Sequence, residues 1–121
     1  PYKRRTGSLE ARGQIIGRIS IDERPPIVDK KIRIGDWEAD TVIGKGHKGV
    51  LVTLADRVSK KTLIAHVASK HAEVVTNAII KLLKSEKAYL HTITFDNGKE
   101  FAYHAKLKKA LGADNYFAHP Y

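Results

Sequence analysis

Two carboxylate-bearing stretches offer the clearest chemistry in this sequence. Asp96-Asn97-Gly98 follows the short run His91–Phe95, and Asp36, Glu38 and Asp40 alternate along the run Asp36–Ile43. Asp-Asn-Gly is a turn sequence, because Asn tolerates unusual backbone angles and Gly adopts them freely. A plain turn is the bland reading of Asp96. The functional reading is that a strand end places a carboxylate at the mouth of an α/β sheet, where ligands bind. Asp40 sits inside a strand-like run. Strands disfavour Asp, and a lone buried carboxylate is costly. It therefore needs a metal, a cationic partner or solvent. Asp36 and Glu38 share its face, and spacing does not choose among the three. Carboxylates on neighbouring strands can hold hard divalent cations, Mg2+ or Mn2+. Two such ions about 4 Å apart activate a nucleophile and stabilise a leaving oxygen, as in phosphodiester hydrolysis and strand transfer.

The elements that must position these groups follow from periodicity. Residues 36–43 alternate as a strand, with Trp37, Ala39, Thr41 and Ile43 opposite Asp36, Glu38, Asp40 and Val42. A glycine-rich segment, residues 44–49, lacks the spacing and Ser/Thr of a phosphate-binding loop and reads as a hairpin. Residues 50–56 and 61–67 make two more strands, so the first three form an antiparallel meander. Val74, Val75, Ala78, Ile79, Leu82 and Leu83 recur near period 3.6 and predict a helix over about 71–84, with Ser69 as a candidate N-cap. A fourth strand at 91–95, a helix over about 99–111 stopped by Gly112, and a fifth strand at 115–118 complete the order β-β-β-α-β-α-β. This is an α/β mixed sheet with flanking helices, compatible with an RNase H-like fold and with other small α/β folds.

Residues 1–35 lack sustained periodicity and contain Gly7, Gly13, Gly17, Pro25 and Pro26. They read as a basic linker or tail leading into a core at 36–121. Ile15, Ile16, Ile19 and Ile21 are candidates for a short strand. The chain has 121 residues, enough for one domain, and its net charge of +9 suits phosphate contacts. Lys45, His47 and Lys48 in the hairpin, Lys99 after the Asp-Asn-Gly turn, and His104 on the following helix are candidate DNA contacts. A solvated loop and a packed histidine are the bland readings of these positions. His66, His71 and His91 have no metal-ligand spacing. The absence of cysteine excludes disulfides and cysteine zinc sites. No run reaches the length of a membrane span. The expected compartment is the cytoplasm, in association with the nucleoid. Methionine is also absent, as in a segment of a larger protein.

The residues from Arg33 to Gly44, RIGDWEADTVIG, resemble the opening of the integrase-type catalytic core of IS30-family transposases. Ser20–Pro25 resembles the approach to that core. Phe95-Asp96-Asn97-Gly98-Lys99-Glu100-Phe101-Ala102, followed by His104, is similar to the family's second signature. Tyr116–Tyr121 resembles the segment before its third, with His119 where Asp is common. The resemblance covers residues 18–121. It implies an RNase H-like fold and a DDE-type DNA transposase that cuts the ends of an insertion element and joins them to target DNA. It implies Asp40 and Asp96 as the first two catalytic, metal-binding carboxylates, Mg2+ or Mn2+ as cofactor, double-stranded DNA as partner, and a homo-oligomer in the full-length protein. The third carboxylate, a glutamate on a C-terminal helix, is expected beyond Tyr121, so the chain alone is expected to be inactive. Glu100 is not its substitute, because the family has both residues. Without that helix, part of one sheet face should be exposed, to be covered by self-association or by residues 1–35. The alternatives are a noncatalytic DNA-binding or assembly module of the same fold, and an RNase H-like nuclease. If Asp40 and Asp96 share cations, their carboxylates should lie within about 4–7 Å of each other.

Overall fold

The alternating run at Asp36–Ile43 becomes β1, the central strand of a five-stranded sheet ordered β3-β2-β1-β4-β5. The computed structural model describes residues 17–119, apart from Lys48, Asn97 and the side chain of His47. β2 (Val50–Asp56) and β3 (Thr62–Val67) continue antiparallel from β1, as the short connections require. β4 (Thr92–Phe95) and β5 (Asp114–Phe117) add parallel on the other side of β1. Each parallel pairing needs a crossover, and helices supply both.

Ala72–Leu83 forms one crossover helix, here called α2, and His104–Leu111 forms the other, α3; the five-residue helix Pro26–Lys30 is α1. α2 and α3 pack against each other and on one face of the sheet. Val75, Ile79 and Leu83 of α2 and Leu107 and Leu111 of α3 share a core with Trp37, Ala39, Leu54, Ile93 and Phe95. Burying a large apolar side chain in such a core contributes about 1.5–3 kcal/mol. The helix expected over about 99–111 is split. A 3-10 turn occupies Lys99–Phe101, and α3 begins at His104 after Tyr103 leaves helical angles (φ −93°, ψ 32°). The break lets Phe101 reach Phe95, with ring centroids 4.7 Å apart.

The opposite face meets the segment read as a linker. Residues 21–23 form a 3-10 turn and α1 follows. Arg24 donates to the Thr94 hydroxyl at 3.0 Å and to Asp29 at 2.6 Å. Arg57 bonds Glu38 and lies 3.8 Å from Asp29. Val28 is buried beneath this network. Of the isoleucines expected to form a strand, Ile15 and Ile16 lie outside the described residues. Ile19 accepts a bond from Phe117 N–H, and Ser20 makes a single parallel bridge to Phe117. Farther along the same face, Val42, Leu51 and Ile64 remain exposed.

The loop into β1 is fixed by Gly35 and Asp56. Gly35 has φ 101°, and a Cβ there would sit 1.8 Å from the Tyr89 carbonyl oxygen, so only glycine fits. Its N–H donates to the buried Asp56 carboxylate at 2.7 Å, which also accepts from Val58 and Ser59 N–H at 2.8 and 3.0 Å. Burial pushes the Asp56 carboxyl up, but these N–H donors outweigh it and hold it below the usual aspartate range. Asp56→Ala should cost about 2–3 kcal/mol, since it strands buried donors that served a charged group. Urea unfolding at neutral pH measures the loss. Because the folded value is depressed, wild-type Asp56 contributes its full share above the unfolded value of about 3.9, and that share is lost as pH falls through the folded value. The gap between wild type and variant should therefore narrow in acid; a pH-independent gap would contradict the assignment.

Candidate active site

The parallel register of β1 and β4 pairs Ala39 with Phe95. Asp40 and Asp96 are each the next residue along, so both side chains leave the sheet on the face opposite the Ala39–Phe95 core. The shared strand end puts the charge of Asp40 on the same side as the Asp96 carboxyl. Burial pushes the Asp96 carboxyl up, and the charges of Glu100 and Asp40 push it further; the Gly98 N–H, at 2.8 Å, opposes them. That Gly98 bond closes the turn after β4 and fixes the carboxylate at the strand end.

Bonding partners separate the three carboxylates on β1. Asp36 is buried, and both its oxygens are engaged. Arg33 Nε and Nη2 donate to it at 2.8 and 2.9 Å, and the Thr92 hydroxyl at 2.8 Å. Glu38 is bound by Arg57. Asp40 is exposed, and its hydrogen bond from Thr41 N–H at 2.8 Å is local. Of the three, Asp40 is the one brought to Asp96.

Glu100 joins this pair, which spacing did not foretell. It is only 5% exposed and accepts from the Thr41 hydroxyl at 2.6 Å. Lys70 Nζ lies 3.2 Å from the same carboxylate. Burial pushes the Glu100 carboxyl up, but Thr41, its own backbone N–H and Lys70 more than offset this and hold it below the usual range. Among the described residues, no group of three or more His, Cys, Asp or Glu is arranged to hold a metal ion.

The candidate DNA contacts scatter. Lys45 lies in the hairpin after β1 and Lys99 opens the 3-10 turn after Asp96, both exposed. His47 shares the hairpin, and Lys48 lies outside the described residues. His104 is buried, its ring edge-on to Phe117 at a centroid distance of 5.0 Å, and its carbonyl accepts from Asn115 at 2.8 Å. That is the packed reading of this histidine, with little surface left for DNA.

Comparison with known proteins places this geometry. The chain is 44% identical over 120 residues to the transposase for insertion sequence element IS4351 of Bacteroides fragilis, covering 99% of this chain and 37% of that protein. It is 31% identical over 107 residues to the InsI transposase of IS30A of Escherichia coli K12, covering 88% of this chain and 28% of that protein. The chain thus spans about a third of the length of these curated relatives. No family model matches it. Among solved structures, the catalytic core domain of BIV integrase superposes with a TM-score of 0.58 at 22% identity, over 71% of this chain and 55% of that one. A chain of the simian T-cell lymphotropic virus intasome, solved in complex with PP2A regulatory subunit B56 gamma, gives 0.63 at 15%, over 73% and 33%. These two likenesses show the fold, an RNase H-like one shared with integrase cores. In sequence the chain is similar to insertion-element transposases, and in fold it is similar to integrase catalytic cores.

Proposed function

We propose that this chain supplies the first two carboxylates, Asp40 and Asp96, of a DDE-type DNA transposase. The reaction is cleavage at the ends of an insertion element and strand transfer into target DNA. The observation that carries the reading is the parallel register that sets Asp40 and Asp96 at neighbouring strand positions on one face, while Asp36 and Glu38 are held by arginines. The sequence relatives are transposases, which supports the same substrate class. The donor set fits Mg2+ or Mn2+: it offers only hard oxygen ligands, crowded together so that Asp96 is held above its usual range. When bound, such ions activate the attacking hydroxyl and stabilise the leaving oxygen of a phosphodiester displacement. The chain's own part is to fix the geometry. Paired β1 and β4 set the spacing, the Gly98 N–H orients Asp96, and Thr41 N–H orients Asp40. The net charge of +9 attracts duplex DNA toward this acidic centre. Double-stranded element ends and target DNA are the partners, the working protein is a homo-oligomer, and it acts at the nucleoid. No helix among the described residues is long and apolar enough to cross a membrane.

A second reading, a noncatalytic DNA-binding or assembly module, draws on the lack of a three-ligand metal cluster among the described residues. Titration with Mn2+, followed by paramagnetic broadening in NMR spectra of the chain, separates the two. Weak binding should broaden resonances around Asp40 and Asp96 first, and Asp96→Asn should remove the effect. Broadening that ignores Asp96→Asn, or none at all, would favour the noncatalytic module.

A further inference from the structure

The candidate site has an electrostatic difficulty. Asp40, Asp96 and Glu100 gather three carboxylates at one end of the sheet, with Glu100 and Asp40 both acting on Asp96. A DNA strand would bring a further anion to each phosphate position. The distributed positive charge steers DNA from afar but does not answer local repulsion. A cation at the site does, and Lys70 is ion-paired into the cluster.

The Lys70–Glu100 pair is unevenly buried. The Glu100 side chain is 4% exposed, whereas the Lys70 side chain is 40% exposed. A buried carboxylate is weak support for stability, because desolvation consumes much of its attraction. Yet the surroundings are shaped to keep it. A Cβ on Gly98 would fall 2.2 Å from Glu100 Oε1. The Thr41 hydroxyl, beside Asp40, donates to Glu100 Oε2, and Lys70 approaches the same oxygen. An ammonium has three donors, and this contact uses one. Lys70 stands just before α2, whose N-cap His71 makes no side-chain cap bond, and borders a groove of about 220 Å³ lined by Ile43, Val50, Ala68 and Ser69.

We propose that Lys70 binds a DNA backbone phosphate flanking the one delivered to Asp40 and Asp96, and that Glu100 is the positioning residue that holds its ammonium there. Glu100 ties the start of α2, through Lys70, to β1 beside Asp40, through Thr41. The alternative role for Lys70 is simple neutralisation of Glu100. This inference rests on the DNA-processing reading above.

The test measures duplex DNA binding by the chain in EDTA, by fluorescence anisotropy across a salt series. Thermal unfolding is read alongside. Lys70→Gln should weaken binding about fivefold and reduce the slope of log K against log salt by about 0.9, the signature of one lost phosphate contact. Lys84→Gln, an exposed lysine at the far end of α2 carrying the same charge change, should leave the slope unaltered. Glu100→Gln retains an acceptor for Thr41 and should reduce the slope nearly as much as Lys70→Gln. The double variant Lys70→Gln/Glu100→Gln should regain stability lost in Lys70→Gln while binding no better. Wild-type affinity and slope in Lys70→Gln would overturn the phosphate contact. Restored binding in the double variant would show Lys70 to be only a neutralising partner, and an unchanged slope in Glu100→Gln would overturn the positioning role. If the wild-type chain binds no duplex at all, the DNA-processing reading fails first, and the proposal with it.

Discussion

In a transposase carrying this segment, Asp96→Asn should reduce cleavage of a labelled element-end duplex about 10³-fold or more. The charge stabilisation supplied by an active-site cation is worth several kcal/mol, and each 1.4 kcal/mol is a factor of ten. Asparagine keeps the shape and still accepts from the Gly98 N–H, so the turn after β4 survives. Asp40→Asn should match it, and the double variant should be little worse, since groups acting as a unit are not additive. Two neighbours on β1 serve as controls. Glu38→Gln gives up an ion pair with Arg57 at a half-open position and should retain cleavage within a few-fold. Asp36→Asn loses its paired bonds from Arg33 and should lower stability more than chemistry. Full activity in Asp40→Asn together with its loss in Glu38→Gln would move the site from Asp40 to Glu38.

The largest expected stability effect is at Phe95, one residue before Asp96. Its ring lies 4.7 Å from Phe101 and 5.1 Å from Phe117, and it is 1% exposed. Phe95→Ala should cost about 3–5 kcal/mol, from lost transfer energy plus the cavity left among rings that only partly collapse. This is a large share of a stability of about 5–15 kcal/mol for a domain of this kind. Urea unfolding measures it, with Phe95→Leu as the milder comparison. Phe101 anchors the 3-10 turn that carries Glu100, so the cavity also loosens the carboxylate cluster. The Mn2+ broadening near Asp96 should weaken in Phe95→Ala even where the chain stays folded. A loss below about 1 kcal/mol would mean that the three-ring stack is not what seats this strand end.

The strands were legible because alternation and turn chemistry are local. Residues 36–43 and 50–56 form strands with the bounds read from the sequence, and Trp37 faces the core as its parity requires. What escaped is held by pairs distant in sequence. Nothing in the composition of residues 20–35 shows that Arg24 will meet Thr94, or that Asp29 will meet Arg57. The break in the helix after Asp96 escaped for the same reason. Apolar spacing favours a continuous helix, whereas Phe101 and Glu100 are drawn to Phe95 and Thr41 across the fold. The choice of Asp40 over Asp36 and Glu38 needed resemblance at the sequence level. In three dimensions the proposal of Asp40 is supported by the arginines that Asp36 and Glu38 each meet.

The parallel seam between β1 and β4 also sets when the site comes into being. The meander β1–β2–β3 is built from near neighbours in sequence, and its loops close cheaply. β4 meets β1 only after the hairpins and α2 have doubled back, with Asp36 opposite Thr92. Such distant closure pays its entropy before any contact rewards it, and so it limits the folding rate. The pairing that sets Asp40 beside Asp96 is therefore made after the meander, in a non-local step. On the proposed reading, a nascent chain that has made its first sheet but not this seam has not yet assembled the Asp40–Asp96 pair.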